Sequence, residues 1–345
     1  MYDLTNYTIK PEPIILGIES SCDETACAII KGRKILADRI ISSASEQALY
    51  GGVVPEIASR AHTDAVDEVV SLALKDAGIC ADEVDAVAVT YGAGLLGALL
   101  VGLSFAKAFA YARNIPLIAV NHVRGHMAAA YLVDEGLKPP FITLLASGGH
   151  TAILHTKSYL EAEVLGGTCD DACGEAFDKV ARVLGLPYPG GPNVQRLAQG
   201  GKACIEFPSA LVKHGDGLTF SYSGLKTSII NYVHNANQKG TSFEPSDVAA
   251  SFQKSAIDPL VKKTVDCAIL RGVTTVTAGG GVVANDYLRE ELSKACKEKG
   301  LKLVLPTKRY CTDNAAMIAA EGLSQYLAGN FAPMDINAKA AIPLK

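Results

Sequence analysis

The sequence predicts an α/β protein of two lobes, each built on the same βββαβα plan. Three observations carry this reading. The chain has 345 residues, the length of about two domains. Short apolar runs alternate with longer amphipathic ones. The order of strands, glycine turns and helices in the first half returns in the second.

The elements follow in order. Ile14 to Glu19 is a continuous apolar run and reads as a buried strand; Thr25 to Ile30 repeats it after a short polar turn, and Ile35 to Ser42 supplies a third strand. Pro55 to Ala77 is an amphipathic helix with proline near its start. Val84 to Thr90 is a strand, Gly92-Ala93-Gly94 a turn, Leu95 to Ala112 a helix and Pro116 to Val120 a strand. In the second half, Phe141 to Ala146, Ser147-Gly148-Gly149 and His150 to His155 again give strand, turn and strand. Thr274 to Ala278, Gly279-Gly280-Gly281, a helix to Lys299 and Leu301 to Leu305 complete the repeat.

The two hairpins lie about 127 residues apart and the two glycine-helix units about 187, which locates an insertion of about 60 residues at 188–246, a stretch rich in Gly, Pro, Ser and Asn. The first lobe is expected over 1–130, completed by the C-terminal segment 318–345, and the second over 131–317. A cleft between them would receive the turns of both halves.

Composition narrows the function classes. With 49% hydrophobic and 20% charged residues, the chain is too apolar for disorder. The longest weakly polar run, Gly92 to Ala106, stops at Lys107 after about 15 residues, short of the roughly 18 a bilayer span needs, so no transmembrane helix is expected. The start lacks an export signal, which leaves the cytoplasm. Nine cysteines with no C-x-x-C pair read as reduced thiols rather than a zinc site. A net charge of −4 gives no general field for polyanions, so a nucleic-acid partner must be met by a local patch or by other subunits.

Three turns follow buried strands: Ser20 to Thr25, Ser147 to Thr151 and Gly279 to Gly281. Backbone N–H groups there could approach a phosphate or sugar, and their recurrence in the same order favours nucleotide binding over tight turns alone. The first turn also holds adjacent acids, Asp23 and Glu24. Beside a phosphate they need a cation or handle protons; otherwise they are a solvated turn.

His122 and His126 stand at i and i+4, one face of a helix, and can share one metal. The residue after the first histidine is Val123, which moves no proton, so the metalloprotease reading fails. A third ligand is needed, and Asp313, expected at the mouth of the opposite lobe, fits; two structural histidines are the alternative. Asp178 could pair with Lys179 or accept from a substrate hydroxyl.

Taken together, Gly17-Ile18-Glu19-Ser20-Ser21-Cys22-Asp23-Glu24-Thr25, Pro55 to His62, the His122 and His126 pair, Ser147-Gly148-Gly149-His150-Thr151, Gly174 to Lys179 and Gly280 to Asn285 resemble the TsaD family, the tRNA N6-adenosine threonylcarbamoyltransferases, in its bacterial form. The resemblance runs from about Ile14 to Leu327. It implies the two-lobed fold of actin, Hsp70 and sugar kinases, and transfer of threonylcarbamoyl from threonylcarbamoyl-AMP to N6 of adenosine 37 in tRNAs reading codons that begin with A. It further implies a metal, iron or zinc, on His122, His126 and Asp313. Adenylate binding falls to Leu145, Ala146, Ser147, Gly148, Gly149, Asp178, Gly191 and Asn285, and catalysis to the acidic pair Asp23 and Glu24. A TsaB-like paralogue and a TsaE-like ATPase are the implied partners.

One departure from the kinase relatives stands out. Where they carry an aspartate-glycine pair at the end of the first strand, this chain has Glu19-Ser20, in keeping with a transfer in which no phosphate moves. A noncatalytic nucleotide-binding subunit and an ATP-dependent kinase of the same fold are the rival readings. The small residues Gly97, Ala98, Gly102, Ala106 and Ala110 are expected either to pack a helix on its own sheet or to meet the TsaB-like partner.

Overall fold

A computed structural model describes residues 2–50, 52–212 and 217–343. The first elements are β1 (Ile14–Glu19), β2 (Glu24–Lys31), β3 (Lys34–Ser42), α1 (Ala44–Ala48), α2 (Pro55–Ala77), β4 (Ala86–Gly92), α3 (Leu96–Arg113), β5 (Leu117–Asn121) and α4 (His122–Ala128). Then come β6 (Phe141–Ala146), β7 (Thr151–Thr156), β8 (Ala162–Thr168), α5 (Cys173–Val183), α6 (Gly190–Ala198), β9 (Thr219–Phe220), α7 (Ser223–Lys239), α8 (Pro245–Arg271), β10 (Thr275–Gly279), α9 (Asp286–Glu298), β11 (Lys302–Val304) and α10 (Ala315–Leu327). Two compact units result: one runs to Leu137 and resumes at Asp313, the other is Lys138–Thr312.

The first unit carries a sheet of order β3-β2-β1-β4-β5 and the second one of order β11-β10-β6-β7-β8-β9. In each, three antiparallel strands are followed by two parallel ones beside the first strand. The duplication read from the glycine turns is thus a duplication of sheet topology, with β9 added to the second copy. Parallel strands covered on both faces should be apolar throughout, and β1, β4, β6 and β10 are buried over nearly their whole length.

Helix α10 returns the chain to the first unit through small residues. A Cβ on Gly17 of β1 would stand 2.5 Å from the Ala315 carbonyl, and one on Gly322 would stand 2.4 Å from Ala88 Cβ. The close approach explains why the segment belongs here and corrects one expectation. Asp313 lies in the first unit rather than on the opposite lobe, because Asn314 caps α10 by accepting from Met317 N at 2.9 Å and Asp313 travels with that helix.

Two features had no counterpart in the sequence reading. The described residues of the stretch 188–246 hold α6, β9 and α7, and Leu225, Ile229, Val233 and Ala236 form the buried stripe of α7. Strand β8 had no separate signal in the sequence, since its residues are only partly buried and do not alternate. Helix α3, expected over Leu95 to Ala112, runs from Leu96 to Arg113, and among the described residues it is the one helix that by length and composition alone could cross a membrane. Ala98, Leu99, Gly102, Leu103, Ala106, Phe109 and Ala110 of this helix are buried in the first unit, so Ala98, Gly102, Ala106 and Ala110 serve intradomain packing, while Gly97 is exposed.

Candidate functional site

In the first unit, the C-terminal ends of β1, β4 and β5 come together. Strand β5 runs directly into α4, whose first residue is His122; Asn121 caps the helix by accepting from Val123 N at 2.9 Å. One helical turn places His126 on the same face, with the two rings 4.6 Å apart and nearly perpendicular. Asp313 Oδ1 lies 3.4 Å from His122 Nε2 and 3.2 Å from His126 Nε2. The three ligand atoms fall within 4.8 Å of one another, so the structure brings Asp313 to the two histidines that helical spacing had paired.

The fit to a metal ion can be tested on the polar atoms themselves. His126 is 1% exposed, and neither ring nitrogen has a hydrogen-bond partner. A buried unsatisfied imidazole costs about 1–3 kcal/mol, and a cation shared with Asp313 would remove that cost. Two donors each about 2.0–2.2 Å from a tetrahedral ion stand about 3.3–3.6 Å apart, close to the 3.4 and 3.2 Å here. The donor set of two imidazoles and one carboxylate suits iron or zinc.

Electrostatics agree. Burial favours the neutral His122 ring, but the charges of Asp313 and Glu19, with the Glu19 hydrogen bond, outweigh it and push the imidazole up to about 9. Below that pH the metal-free ring carries a proton that a metal must displace. Zinc affinity, measured by chelator competition between about pH 6.5 and 8.5, should therefore rise by about tenfold per pH unit for the one displaced proton. A flat profile would remove His122 Nε2 from the ligand set.

The acidic turn adjoins this centre. Its backbone carbonyls are tied down: Ser21 O accepts from Leu95 N at 2.8 Å and Asp23 O from Ser43 N at 2.9 Å. Cys22 O is held by His62 Nε2 at 3.0 Å. The carbonyl only accepts, so His62 Nε2 carries the proton and Nδ1 accepts from Thr25 Oγ1 at 2.6 Å. The carboxyls of Asp23 and Glu24 are left to act. Burial, then the hydrogen bond and charge of Asp23 and the charge of Asp313, push Glu24 up to about 10. Of the two carboxyls, Glu24 is therefore the one whose protonated form is favoured in the metal-free protein.

The second unit gathers the other predicted residues. Leu145 and Ala146 end β6, which pairs in parallel with β10, so the turns after these strands lie side by side at the carboxyl ends, where α/β sheets bind ligands. Ser147 closes its turn through Ser147 N to His150 O at 2.8 Å and His150 N to Ser147 Oγ at 3.0 Å. Gly280, at φ 99°, needs glycine, and a Cβ there would stand 2.4 Å from Ala146 O.

At Gly148, Gly149 and Gly281 a side chain would meet none of the chain itself: nothing lies within 4 Å of a Cβ built on any of them or on Gly191, and none has positive φ. Since the chain itself does not require glycine at these four positions, the open space beside their backbone is what a bound molecule would use.

Asp178 and Asn285 are less free than expected. Asp178 Oδ1 accepts from Gly190 N at 2.7 Å and holds the start of α6, while Lys179 pairs with Asp171 at 2.9 Å and Glu175 at 2.7 Å. Burial raises the Asp178 carboxyl above its ordinary range despite those backbone donors. Asn285 precedes α9 rather than lying in its first turn: its Oδ1 accepts from Leu288 N at 3.1 Å and its Nδ2 donates to Gln253 Oε1 at 2.9 Å. Gln195 of α6 bonds both the backbone and the side chain of Asp286, fastening Gly191's helix beside Asn285. Sequence reasoning missed Gln195, Gln253 and Thr90, whose hydroxyl donates to Glu19 Oε2 at 2.7 Å, and gave His62 no role beyond its motif. Polar residues inside amphipathic helices and strands give no local signal that they are partners.

Known proteins place these features. A family model described as tRNA N6-adenosine threonylcarbamoyltransferase, TsaD, matches residues 34–320. The protein of that name from Caldicellulosiruptor saccharolyticus is 50% identical over 333 residues, covering 96% of this chain and 98% of the relative. Its namesake from Clostridium botulinum strain 657 is 49% identical over 326 residues, 94% of this chain and 96% of the relative. Among solved structures, full-length HypF in a phosphate- and nucleotide-bound form superposes with a TM-score of 0.63 at 16% identity, over 96% of this chain. This chain spans about half of HypF, 49%. The activator of 2-hydroxyisocaproyl-CoA dehydratase from Clostridium difficile gives 0.51 at 12% identity, over 92% of this chain and 96% of the activator. At such identities the two structures speak for the fold, which is the actin-like α/β fold expected. By its family model and its near-full-length relatives, the chain belongs to the TsaD family of tRNA N6-adenosine threonylcarbamoyltransferases.

Proposed function

We propose that this protein transfers a threonylcarbamoyl group from threonylcarbamoyl-AMP to N6 of adenosine 37, in tRNAs that read codons beginning with A, forming t6A and releasing AMP. The observation that carries the reading is the 50% identity to a relative of that activity across 96% of the chain. The His122, His126 and Asp313 cluster adds a metal centre fitted to it. It is a cytoplasmic reaction and runs with a TsaB-like paralogue and a TsaE-like ATPase.

The chemistry is an acyl transfer between an amine and a mixed anhydride. A bond forms from N6 to the carbamoyl carbon, the bond from that carbon to the AMP phosphate oxygen breaks, and one N6 proton must leave. AMP is a good leaving group, so orientation and charge stabilisation dominate. The Asp23–Glu24 pair is the proton-handling group: protonated Glu24 donates to Asp23, and Asp23 accepts the N6 proton. One divalent ion, Fe2+ or Zn2+, on His122, His126 and Asp313 would polarise and orient the reacting carbonyl. Leu145 to Gly149, with Gly191, take the AMP portion, the open backbone being that of Gly148, Gly149 and Gly191, and Asp178 and Asn285 take its hydroxyls.

A kinase reading fits less well, because the Glu19 carboxylate at the end of β1 is engaged by His122, Thr90 and Ser21 N. The direct test incubates the protein and its partners with threonylcarbamoyl-AMP and tRNA lacking t6A, then counts t6A nucleoside and AMP by mass spectrometry. Equal amounts of both are expected, and the purified protein, without its partners, should not consume ATP. ATP turnover by the protein alone, with no t6A from the complete mixture, would overturn the assignment.

The nucleotide residues have their own test. Asp178→Ala and Asn285→Ala should each weaken AMP binding by about 1–3 kcal/mol, with metal content unchanged. Asn285→Ala also removes a helix cap and should cost about 1 kcal/mol of stability, so each titration needs a melting curve beside it. Unchanged AMP affinity in both folded variants would remove these residues from the pocket.

A further inference from the structure

We propose that Glu19 is a positioning residue for the metal centre: it fixes the His122 proton on Nδ1 and so turns the Nε2 lone pair toward Asp313. The inference rests on reading His122, His126 and Asp313 as metal ligands.

Glu19 is a charged residue at 0% exposure, at the end of an apolar strand. A carboxylate in such a place is tolerated only when its oxygens are satisfied. Here Oε1 accepts from Ser21 N at 2.5 Å, and Oε2 accepts from Thr90 Oγ1 at 2.7 Å and faces His122 Nδ1 at 3.0 Å. Ser21 Oγ stands 3.1 Å from the same ring nitrogen. Both oxygens already accept from other donors, Ser21 N and Thr90 Oγ1, so the acid acts as an acceptor throughout and His122 Nδ1 donates to Oε2.

The sheet sets the geometry. Strands β1, β4 and β5 are neighbours in that order, and each contributes one member at its carboxyl end: Glu19, Thr90, and His122 immediately after β5. Glu19 and His122 therefore approach each other from strands two places apart, about 9.6 Å at the backbone, and meet above the Thr90 hydroxyl. A glutamate reaches this far, whereas an aspartate is a methylene shorter. That gives a physical reason for Glu19 at the end of β1 where kinase relatives keep an aspartate. Histidines that hold metals commonly give their second ring N–H to a carboxylate, which fixes the tautomer and ring orientation.

Glu19→Gln is the decisive variant, because the amide keeps the shape but has one acceptor oxygen for three donors. Its affinity for Zn2+ alone, measured by chelator competition, should fall about 10- to 100-fold. In nitrogen-15 histidine spectra of the zinc-loaded protein, the His122 Nδ1 proton, slow to exchange in the parent, should exchange fast. A purely structural role would lower the melting temperature without moving that signal. If Glu19→Gln does not fold, Thr90→Val leaves the carboxylate in place with one restraint fewer, and should give a smaller affinity loss with the same signal displaced. Parent-like affinity and an unmoved signal in a folded variant would overturn the role of Glu19 while leaving the metal ligands standing. A parent that binds no zinc would overturn both.

Discussion

His126→Leu should remove stoichiometric metal and lower t6A formation by more than about 100-fold, while the metal-free protein stays as stable as the parent or becomes more so. The three candidate ligands differ in what their loss leaves behind. Replacing His122 strands the buried Glu19 carboxylate, and replacing Asp313 changes the charge felt by Glu24 and His122. His126 is different: it is buried, neither ring nitrogen makes a hydrogen bond, and the Asp313 carboxylate stands 3.2 Å from Nε2. Leucine fills most of the space and removes both buried ring nitrogens. Helix α4 should hold its place, because Val123, Met127 and Ala128 remain buried and Arg124 Nε donates to Glu321 Oε1 at 2.6 Å. A residue that costs stability in the metal-free protein and is needed for activity is what a ligand looks like. Adding His122→Ala to His126→Leu should lower activity little further, since ligands of one ion act as a unit. Metal analysis by mass spectrometry, paired with urea titration of the metal-free forms, decides it: retained metal in a folded His126→Leu protein would refute the assignment.

How much of this was legible in the sequence depends on the range of the signal. The duplicated sheets were legible because β1, β4, β6 and β10 are apolar runs ended by glycine or acid turns, and buried parallel strands cannot hide that pattern. His122 and His126 were legible because helical spacing is local. The role of Glu19 was not, since its partners lie at Thr90 and His122, and nothing near Glu19 in the chain names them. Helix α7 was missed because Gly, Ser and Asn residues around it outweighed a buried stripe of four residues. Asp313 was chosen correctly as a member of the cluster but put on the other lobe. The cap at Asn314 and the small-residue packing of α10 decide that point, and they act at a distance the sequence does not display. The glycines divide along the same line: Gly280 has a visible reason in its own backbone, whereas Gly148, Gly149, Gly191 and Gly281 have none within the chain.

The small-residue face of α3 leads to the other large effect. Ala98→Glu and Gly102→Leu should unfold the first unit or cost it more than about 3 kcal/mol, rather than block association of a folded protein. Ala98 is 0% exposed, and its carbonyl accepts from Ser20 Oγ at 3.0 Å. A glutamate there would bury a charge with no partner. At Gly102 a Cβ alone would lie 2.4 Å from Ser20 Oγ and 3.3 Å from Ile18 Cγ2, so a leucine must push against the end of β1, where Glu19 holds His122. The packing fault should therefore also reduce metal content, which loss of an interface would not do. On the opposite face, Leu96, Leu100 and Tyr111 are 49%, 39% and 57% exposed. Leu100→Glu should change stability by no more than about 0.5 kcal/mol, as surface substitutions usually do. Urea midpoints and metal content of the three variants separate the cases. Near-parent values for Gly102→Leu would mean that α3 does not pack on β1 through its small residues, and a large loss for Leu100→Glu would mean that its outer face is not open to solvent.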